Sequence, residues 1–293
     1  MKKRILFFGT PEIAVPALRF LKEMETIEIV GVGVPPEKPI GRAQILTKCP
    51  VKIAAEKLEL PIFEVGKKSD LAEIFEKTNP DLAIVIAFGV IFPEEILERP
   101  KFGTINVHFS LLPKFRGASP VQSAILAGEK VSGISFQKMV KKLDAGDVLF
   151  SQKFSIENQS TSELWKFFAE ETAHALPNFL DNFFAGKITP RPQIENVATH
   201  CKKFEKSAGE IFPARETANE IWQKFLAFDA WPGIFLKTKK GNLKILELSK
   251  TTEKNTVEIA CSDGEIFLKM GQLPGKNPAP IVDILRGNPN LFL

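Results

Sequence analysis

The 293-residue chain has no tyrosine, although it holds 25 phenylalanines. No phenol can therefore serve as a catalytic acid. Cysteine is scarce as well. Cys49, Cys201 and Cys261 are odd in number and far apart, so they offer neither a disulfide framework nor a CxxC pair. His200 precedes Cys201, but no second ligand pair accompanies them, and no metal is expected. Long apolar runs are missing too. The run behind the amino-terminal basic cluster stops at Gly9, too short for a signal-peptide core or a membrane span. A cytoplasmic protein is expected. The first apolar run is followed by "GTPE" rather than GxGxxG, which argues against a dinucleotide fingerprint.

What is present is ordinary for a globular chain: 44% hydrophobic and 25% charged residues, enough for one large or two ordinary domains. The net charge of +4 is unevenly spread. From Cys201 onward there are 14 basic and 11 acidic residues, against 25 and 24 before it. The carboxyl-terminal third is the more basic part, as contact with a polyanion would favour.

Apolar runs without alternation, "RILFFG", "IEIVGVGV", "PDLAIVIAFG" and "GTINVHF", predict buried strands. Helical patterns separate them: "TPEIAVPALRFLKEM" with Thr10 as cap and Pro11 in the first turn, "VKIAAEKLEL", "SDLAEIFEKTN" with Ser69 as cap, and "PEEILERP". Strand–helix alternation predicts an α/β fold, a Rossmann-like, mostly parallel sheet. Further on, "SPVQSAILAGEK" reads as a helix and "VSGISFQKMVKKLDAGDVLFSQKFSI" as strand, loop, strand. "TSELWKFFAEETAHALPNFLDNFFAGK" is a long helical region. Residues 190–206 are polar, carry two prolines and lack periodicity, as a linker would. After the helix "RETANEIWQKFLAF" come short strands with Gly and Asp-Gly turns, read as a small OB-like β-barrel. The expected division is 1–189, 190–206 and 207–293.

Ligands in such sheets bind beyond the carboxyl ends of the strands, which directs attention to Gly9, Phe88-Gly89 and Asn106-His108. Asn106 and His108 are two apart on a strand, so they share a face. "LDAGD" offers Asp144 and Asp147, either of which could orient the imidazole by position; spacing does not choose between them. Asn, His and Asp together suit acyl transfer. An amide and an imidazolium can stabilise an oxyanion, and a carboxylate can relay a proton. Ser110 is a weak rival nucleophile, too close along the chain to His108; its hydroxyl is expected to anchor the loop.

"FFGTPE", "VIAFGVIFP", "INVHFSLLPKFRGASP", "LDAGD" and "AWPGIF", in this order, resemble the folate-dependent formyltransferase superfamily over nearly the whole chain. The "PEKPIGR" loop and the carboxyl-terminal "GQLPGK" and "DILRG" resemble its tRNA-directed branch. The resemblance implies transfer of a formyl group from 10-formyltetrahydrofolate to the α-amine of methionyl initiator tRNA; a monomer without metal is expected. It implies catalysis by Asn106, His108 and Asp144. It implies folate contacts at Ala87, Phe88 and Gly89, at Ser110, Leu111, Leu112 and Pro113, and at the loop leading to Asp144, and RNA binding by residues 207–293. Lys38 and Arg42, in a loop stiffened by Pro36, Pro39 and Gly41, are expected at the tRNA acceptor end. Lys114, Arg116, Lys237, Lys239 and Lys240 are further expected RNA contacts. The chain departs from the pattern in four places. Phe88 stands where Tyr is common, and Val34–Glu37 replaces Thr-Gln-Pro-Asp. Glu210–Pro213 lacks Ile-Asp-Trp, and "FLAFDAWPG" lacks its usual Arg. The rivals are a formyltransferase acting on an amino-sugar nucleotide or purine precursor, a non-catalytic tRNA-binding protein, and a formate-releasing hydrolase. The basic last third speaks against the first and the intact trio against the second. The hydrolases carry an amino-terminal regulatory domain that is not seen here.

Overall fold

The computed structural model describes residues 1–40 and 44–292. In chain order the first part contains β1 (Lys3–Gly9), α1 (Val15–Glu23), β2 (Ile27–Val34), β3 (Lys38–Ile40), β4 (Ile45–Thr47) and α2 (Pro50–Lys57). It continues with β5 (Ile62–Glu64), α3 (Lys68–Thr78), β6 (Leu82–Ile86), α4 (Glu94–Leu97), β7 (Thr104–His108) and β8 (Arg116–Gly117). Then follow α5 (Pro120–Leu126), β9 (Val131–Lys138), β10 (Val148–Ser155), α6 (Thr161–Phe184) and β11 (His200–Cys201).

Among the described residues, seven strands form the central sheet in the order β10-β9-β7-β6-β1-β2-β5. Neighbours from β5 to β7 are parallel, and β9 runs antiparallel to β7. The sheet is therefore mostly parallel, as expected. All five residues of β6 are buried, and so are the last five of β1, which is why these segments read as unbroken apolar runs. The chain winds outward from β1 to β5 on one side and from β6 onward on the other. The crevice above the β1/β6 junction and its neighbours is where such sheets bind ligands.

The missing tyrosines have a counterpart in the core. Phe8 packs against Phe75, Phe88 and Phe92, with ring centroids 5.0–5.8 Å apart. Phe136 on β9 meets Phe179 on α6 at 4.8 Å. Such pairs add about 1 kcal/mol each beyond their burial, and a phenylalanine ring brings no hydroxyl that would need a partner there.

Two start signals differ from expectation. Thr10 does not cap a helix: a 3-10 turn at Glu12–Ala14 precedes α1, whose amino-terminal cap position is Ala14. At α3 the capping group is the carboxylate of Asp70, which accepts the Gly66 and Lys67 amides at 2.9 and 3.0 Å, with Ser69 already inside the helix. A carboxylate in the first turn also meets the positive end of the helix dipole.

The chain divides into two compact units, and not at a single point. One comprises Met1–Pro120, Ser132–Phe154 and Trp165–Cys201; the other comprises Val121–Val131, Ser155–Leu164 and Lys202–Leu293. Part of the segment expected as a linker, up to Cys201, thus belongs to the first unit, where β11 pairs in parallel with β8. Its partners lie some eighty residues away, which local periodicity cannot reveal.

In the second unit, α7 (Ala218–Ala227) is capped by Thr217 and Glu220, each accepting from the other's backbone. The strands β12 (Ile234–Thr238), β13 (Gly241–Ser249), β14 (Val257–Cys261), β15 (Gly264–Gln272) and β16 (Ala279–Pro280) precede α8 (Ile281–Arg286). They form an antiparallel sheet in the order β12-β13-β15-β14, with β16 on β15. No helix among the described residues is long and apolar enough to cross a membrane.

Candidate active site at the carboxyl end of the parallel strands

β7 ends with Asn106 and His108 on one face. The register with β9 sets Asn106 opposite Gln137 and His108 opposite Ser135. Both partners are buried polar residues, and each holds a loop. The Ser135 hydroxyl donates to the Ser110 carbonyl at 2.7 Å and accepts from the Leu112 amide at 3.1 Å. Gln137 Nε2 donates to Asp144 Oδ1 at 2.8 Å. The cross-strand neighbours of the two polar β7 residues therefore fix the "SLLP" and "LDAGD" loops above the strand end.

Asp144 lies in a left-handed backbone conformation, φ 50°, which Asp tolerates better than most residues. Two short bonds hold its carboxylate, one from Gln137 and one from the Gly117 amide to Oδ2 at 2.8 Å. Two longer approaches come from β7: Asn106 Nδ2 at 3.5 Å from Oδ1, and His108 Nδ1 at 3.8 Å from Oδ2. Hydrogen bonds weaken steeply at such lengths. The carboxylate is thus fixed by groups other than Asn106 and His108, and Asn106 Nδ2 and His108 Nδ1 are left to engage other groups.

His108 is only 6% exposed. Its Nε2 lies 2.8 Å from the Phe115 carbonyl, which can only accept. That nitrogen therefore carries a hydrogen, and Nδ1 is the ring nitrogen that faces Asp144. Phe115 itself has φ 58°. Its amide donates to Thr199 Oγ1 at 2.8 Å, and its carbonyl also accepts from Cys201 Sγ at 3.4 Å.

Two glycines make the loops possible. A Cβ on Gly117, at φ 119°, would stand 2.1 Å from the Cys201 carbonyl oxygen, and one on Gly146 would stand 1.7 Å from that of Lys138. Any side chain at either position would force the backbone apart. Asp147 contributes its carbonyl to the Lys138 amide at 2.9 Å. Of the two carboxylates in the turn, Asp144 is the one set against the imidazole.

Several expected site residues are placed differently. Arg116 is not a surface cation. It is 1% exposed; its Nε donates to Gln193 Oε1 at 3.0 Å and its Nη1 to both Glu195 oxygens at 3.0 and 3.2 Å. A guanidinium so enclosed has no free face for a phosphate. Glu195 also accepts from Lys142 at 2.8 Å, and Lys142, then Arg116, holds its carboxyl below the usual range. Ser110 is fully buried, with its hydroxyl donated to the Lys114 carbonyl at 2.6 Å. It anchors the loop and presents no surface to a ligand or nucleophile role. Leu111, Leu112 and Pro113 are half-buried beside it. Ala87 and Gly89 are exposed just beyond β6, while the Phe88 ring packs on Phe8 and Phe92. A Phe in place of Tyr suits that apolar setting. Because Ile86 is paired with Val107, the Ala87–Gly89 loop begins level with His108.

The basic residues are mixed. Lys38, Lys114, Lys237, Lys239 and Lys240 are exposed. Lys237 Nζ meets Glu210 at 2.7 Å, and Lys240 Nζ reaches Asn288. Arg42 lies outside the described residues. His200 is exposed and Cys201 half-buried, and no cluster of His, Cys, Asp or Glu suited to a metal occurs among the described residues.

Gln137, Gln193, Glu195 and Thr199 were not singled out from the sequence. A glutamine inside the apolar stretch "ISFQK" was the one local signal. The others are recognised only through contacts between residues distant in the chain.

Residues 2–180 match the family model described as formyl transferase, and residues 203–289 match that of the formyl transferase C-terminal domain. The chain is 38% identical over 302 residues to the methionyl-tRNA formyltransferase of Sulfurihydrogenibium sp. (strain YO3AOP1), covering 97% of this chain and 96% of that one. Among solved structures, HypX from Aquifex aeolicus in complex with tetrahydrofolic acid covers 97% of this chain at 18% identity and a TM-score of 0.65. The chain spans about half of it, 47%. WlaRD, a sugar 3N-formyl transferase solved with dTDP and 5-N-formyl-THF, covers 94% of this chain and 100% of its own at 20% identity and a TM-score of 0.67. At these identities the two structures speak for the fold alone.

Proposed function

The chain belongs to the formyl transferase family, and from that premise we propose that it moves the formyl group of 10-formyltetrahydrofolate to the α-amine of methionyl initiator tRNA. The observation that carries the chemistry is the approach of Asn106 Nδ2 and His108 Nδ1 to one side of a carboxylate that is otherwise fixed by Gln137 and Gly117.

The folate co-substrate supplies an activated formyl carbon. Its fit rests on the exposed main chain at Ala87 and Gly89, level with His108, and on the half-buried apolar Leu111, Leu112 and Pro113. When the methionyl amine attacks, negative charge develops on the formyl oxygen. Asn106 Nδ2–H and, in the imidazolium form, His108 Nδ1–H are the donors we assign to that oxygen. Each such donor, aimed in advance at developing charge, contributes roughly 3 kcal/mol to barrier lowering. We assign Asp144 to take the proton released by the attacking nitrogen and pass it toward the leaving folate nitrogen. Phe115 holds the imidazole so that Nδ1 faces the reaction.

We further assign catalysis to residues 1–189 and RNA binding to residues 207–293, with Lys38, Arg42, Lys114, Lys237, Lys239 and Lys240 as phosphate contacts, in a cytoplasmic monomer. A direct test is incubation with labelled 10-formyltetrahydrofolate and charged initiator tRNA. The reading requires formylmethionyl-tRNA. Formate release alone, or formylation of an amino sugar in its place, contradicts it.

A further inference from the structure

We propose that Gln193 is a positioning residue for formyl transfer, holding the backbone of the Asp144 turn through its amide nitrogen while its amide oxygen is anchored on Arg116. This rests on the reading of Asp144 given above.

The turn has little to hold it from within. Between Lys142 and Asp147 it closes on an Ala145 amide bond to the Lys142 carbonyl at 3.3 Å and on the Lys138–Asp147 backbone pair. Gln193 supplies what is missing. Its Nε2 donates to the Asp144 carbonyl at 2.9 Å and to the Gly146 carbonyl at 2.6 Å. An amide nitrogen has two hydrogens, and both are used. Its Oε1 accepts from Arg116 Nε at 3.0 Å. Two carbonyls can only accept and a guanidinium can only donate, so the amide has one orientation and cannot flip.

Arg116, in turn, is gripped by Glu195, two residues from Gln193. The same stretch reaches the histidine. Thr199 accepts the Phe115 amide through its hydroxyl and the Arg116 amide through its carbonyl. Phe115 is the residue whose carbonyl fixes His108 Nε2. Residues 193–201 therefore brace both the carboxylate and the imidazole from behind, and Gln193 is the member tied to the carboxylate. It touches no reacting atom. Its role is to keep the Asp144 side chain where Gln137 and Gly117 meet it. A displacement on the order of 1 Å at such a group lowers turnover about a hundredfold.

Two substitutions separate positioning from packing. Gln193→Glu keeps the shape and the oxygen facing Arg116 but loses both donated bonds. Gln193→Met keeps the length and loses both without adding charge. Single-turnover and steady-state formyl transfer would be measured with 10-formyltetrahydrofolate and charged initiator tRNA, alongside thermal melting. Asp144→Asn runs in the same assay. The expected result is a fall in kcat of about a hundredfold in each folded variant, with KM for both substrates within about threefold of wild type. A folded Gln193→Glu or Gln193→Met enzyme with wild-type kcat overturns the proposal. So does a loss confined to KM. If Asp144→Asn is itself fully active, the reading of the site fails; if Asp144→Asn is crippled while the Gln193 variants are not, only the role of Gln193 fails.

Discussion

Residues 105–108 and residues 193–201 both shape the surroundings of Asp144, by different routes. The first stretch is a strand end. Its two polar side chains follow from alternation along one strand, and their function is visible in four consecutive letters. The second stretch has only a 3-10 turn at Glu195–Val197 and the two residues of β11 as regular structure. It consists of single side chains that reach Arg116, Phe115, Asp144 and Gly146 across roughly fifty to eighty residues of sequence. The first presents reacting groups and the second immobilises them. Chemistry is written locally here, whereas rigidity is written in pairs of distant residues.

The comparison can be broken most severely at the strand end. His108→Ala and Asn106→Ala are each expected to lower turnover on the order of a hundredfold or more, because each removes a donor to the developing oxyanion. Folate affinity, measured by equilibrium binding, should stay near wild type. Substitution of Arg116 or Thr199 behind the site should act mainly through stability. Arg116→Ala removes the partner of Glu195 and Gln193 and leaves a cavity. It is expected to cost roughly 2–3 kcal/mol in urea denaturation, at the low end for a buried pair because Glu195 is half exposed and retains Lys142. Thr199→Val takes away the acceptor of the Phe115 amide and should cost about 1 kcal/mol, with a smaller drop in turnover than His108→Ala.

An exposed cation should behave in the opposite way to Arg116. Lys239→Ala is expected to leave stability within about 0.5 kcal/mol while lowering the slope of log tRNA affinity against log salt by about one. If Arg116→Ala instead changed the slope and left stability intact, its assignment as an internal brace would be wrong. The mildest effect concerns acid. The Glu195 carboxyl is held below its ordinary range by Lys142 and Arg116. Its contribution to stability is therefore complete above the ordinary glutamate value of about 4.3 and is lost as pH falls through the lowered one. Glu195→Gln should be less stable than wild type at neutral pH, and the difference should shrink on acidification below that range. Denaturation at several pH values reads this directly.

The parts legible in the sequence were those set by short-range rules. Continuous apolar runs marked β1, β2, β6 and β7, and the two-residue period placed Asn106 and His108 together. Asp144 and Asp147 could not be told apart by spacing, because both lie in one turn. The difference arises from the backbone there: Asp144, at φ 50°, turns its carboxylate to Gln137 and Gly117, whereas Asp147 offers its carbonyl to Lys138. Arg116 was misread for a related reason. A basic residue two positions from a Lys and next to a Gly reads as solvent-exposed, and its partners Gln193 and Glu195 lie almost eighty positions away. The 190–206 stretch read as a linker because polar residues without periodicity carry no local sign of being tied down.

The central claim is that Asp144, and not its neighbour in the turn, serves the reaction alongside Asn106 and His108. Single-turnover formyl transfer from 10-formyltetrahydrofolate to charged initiator tRNA, with both substrates saturating, tests it in one comparison of Asp144→Asn with Asp147→Asn. The expected result is a loss of about a hundredfold or more for Asp144→Asn and a rate within about threefold of wild type for Asp147→Asn. Equal rates for the two variants, or a larger loss for Asp147→Asn, would contradict the account.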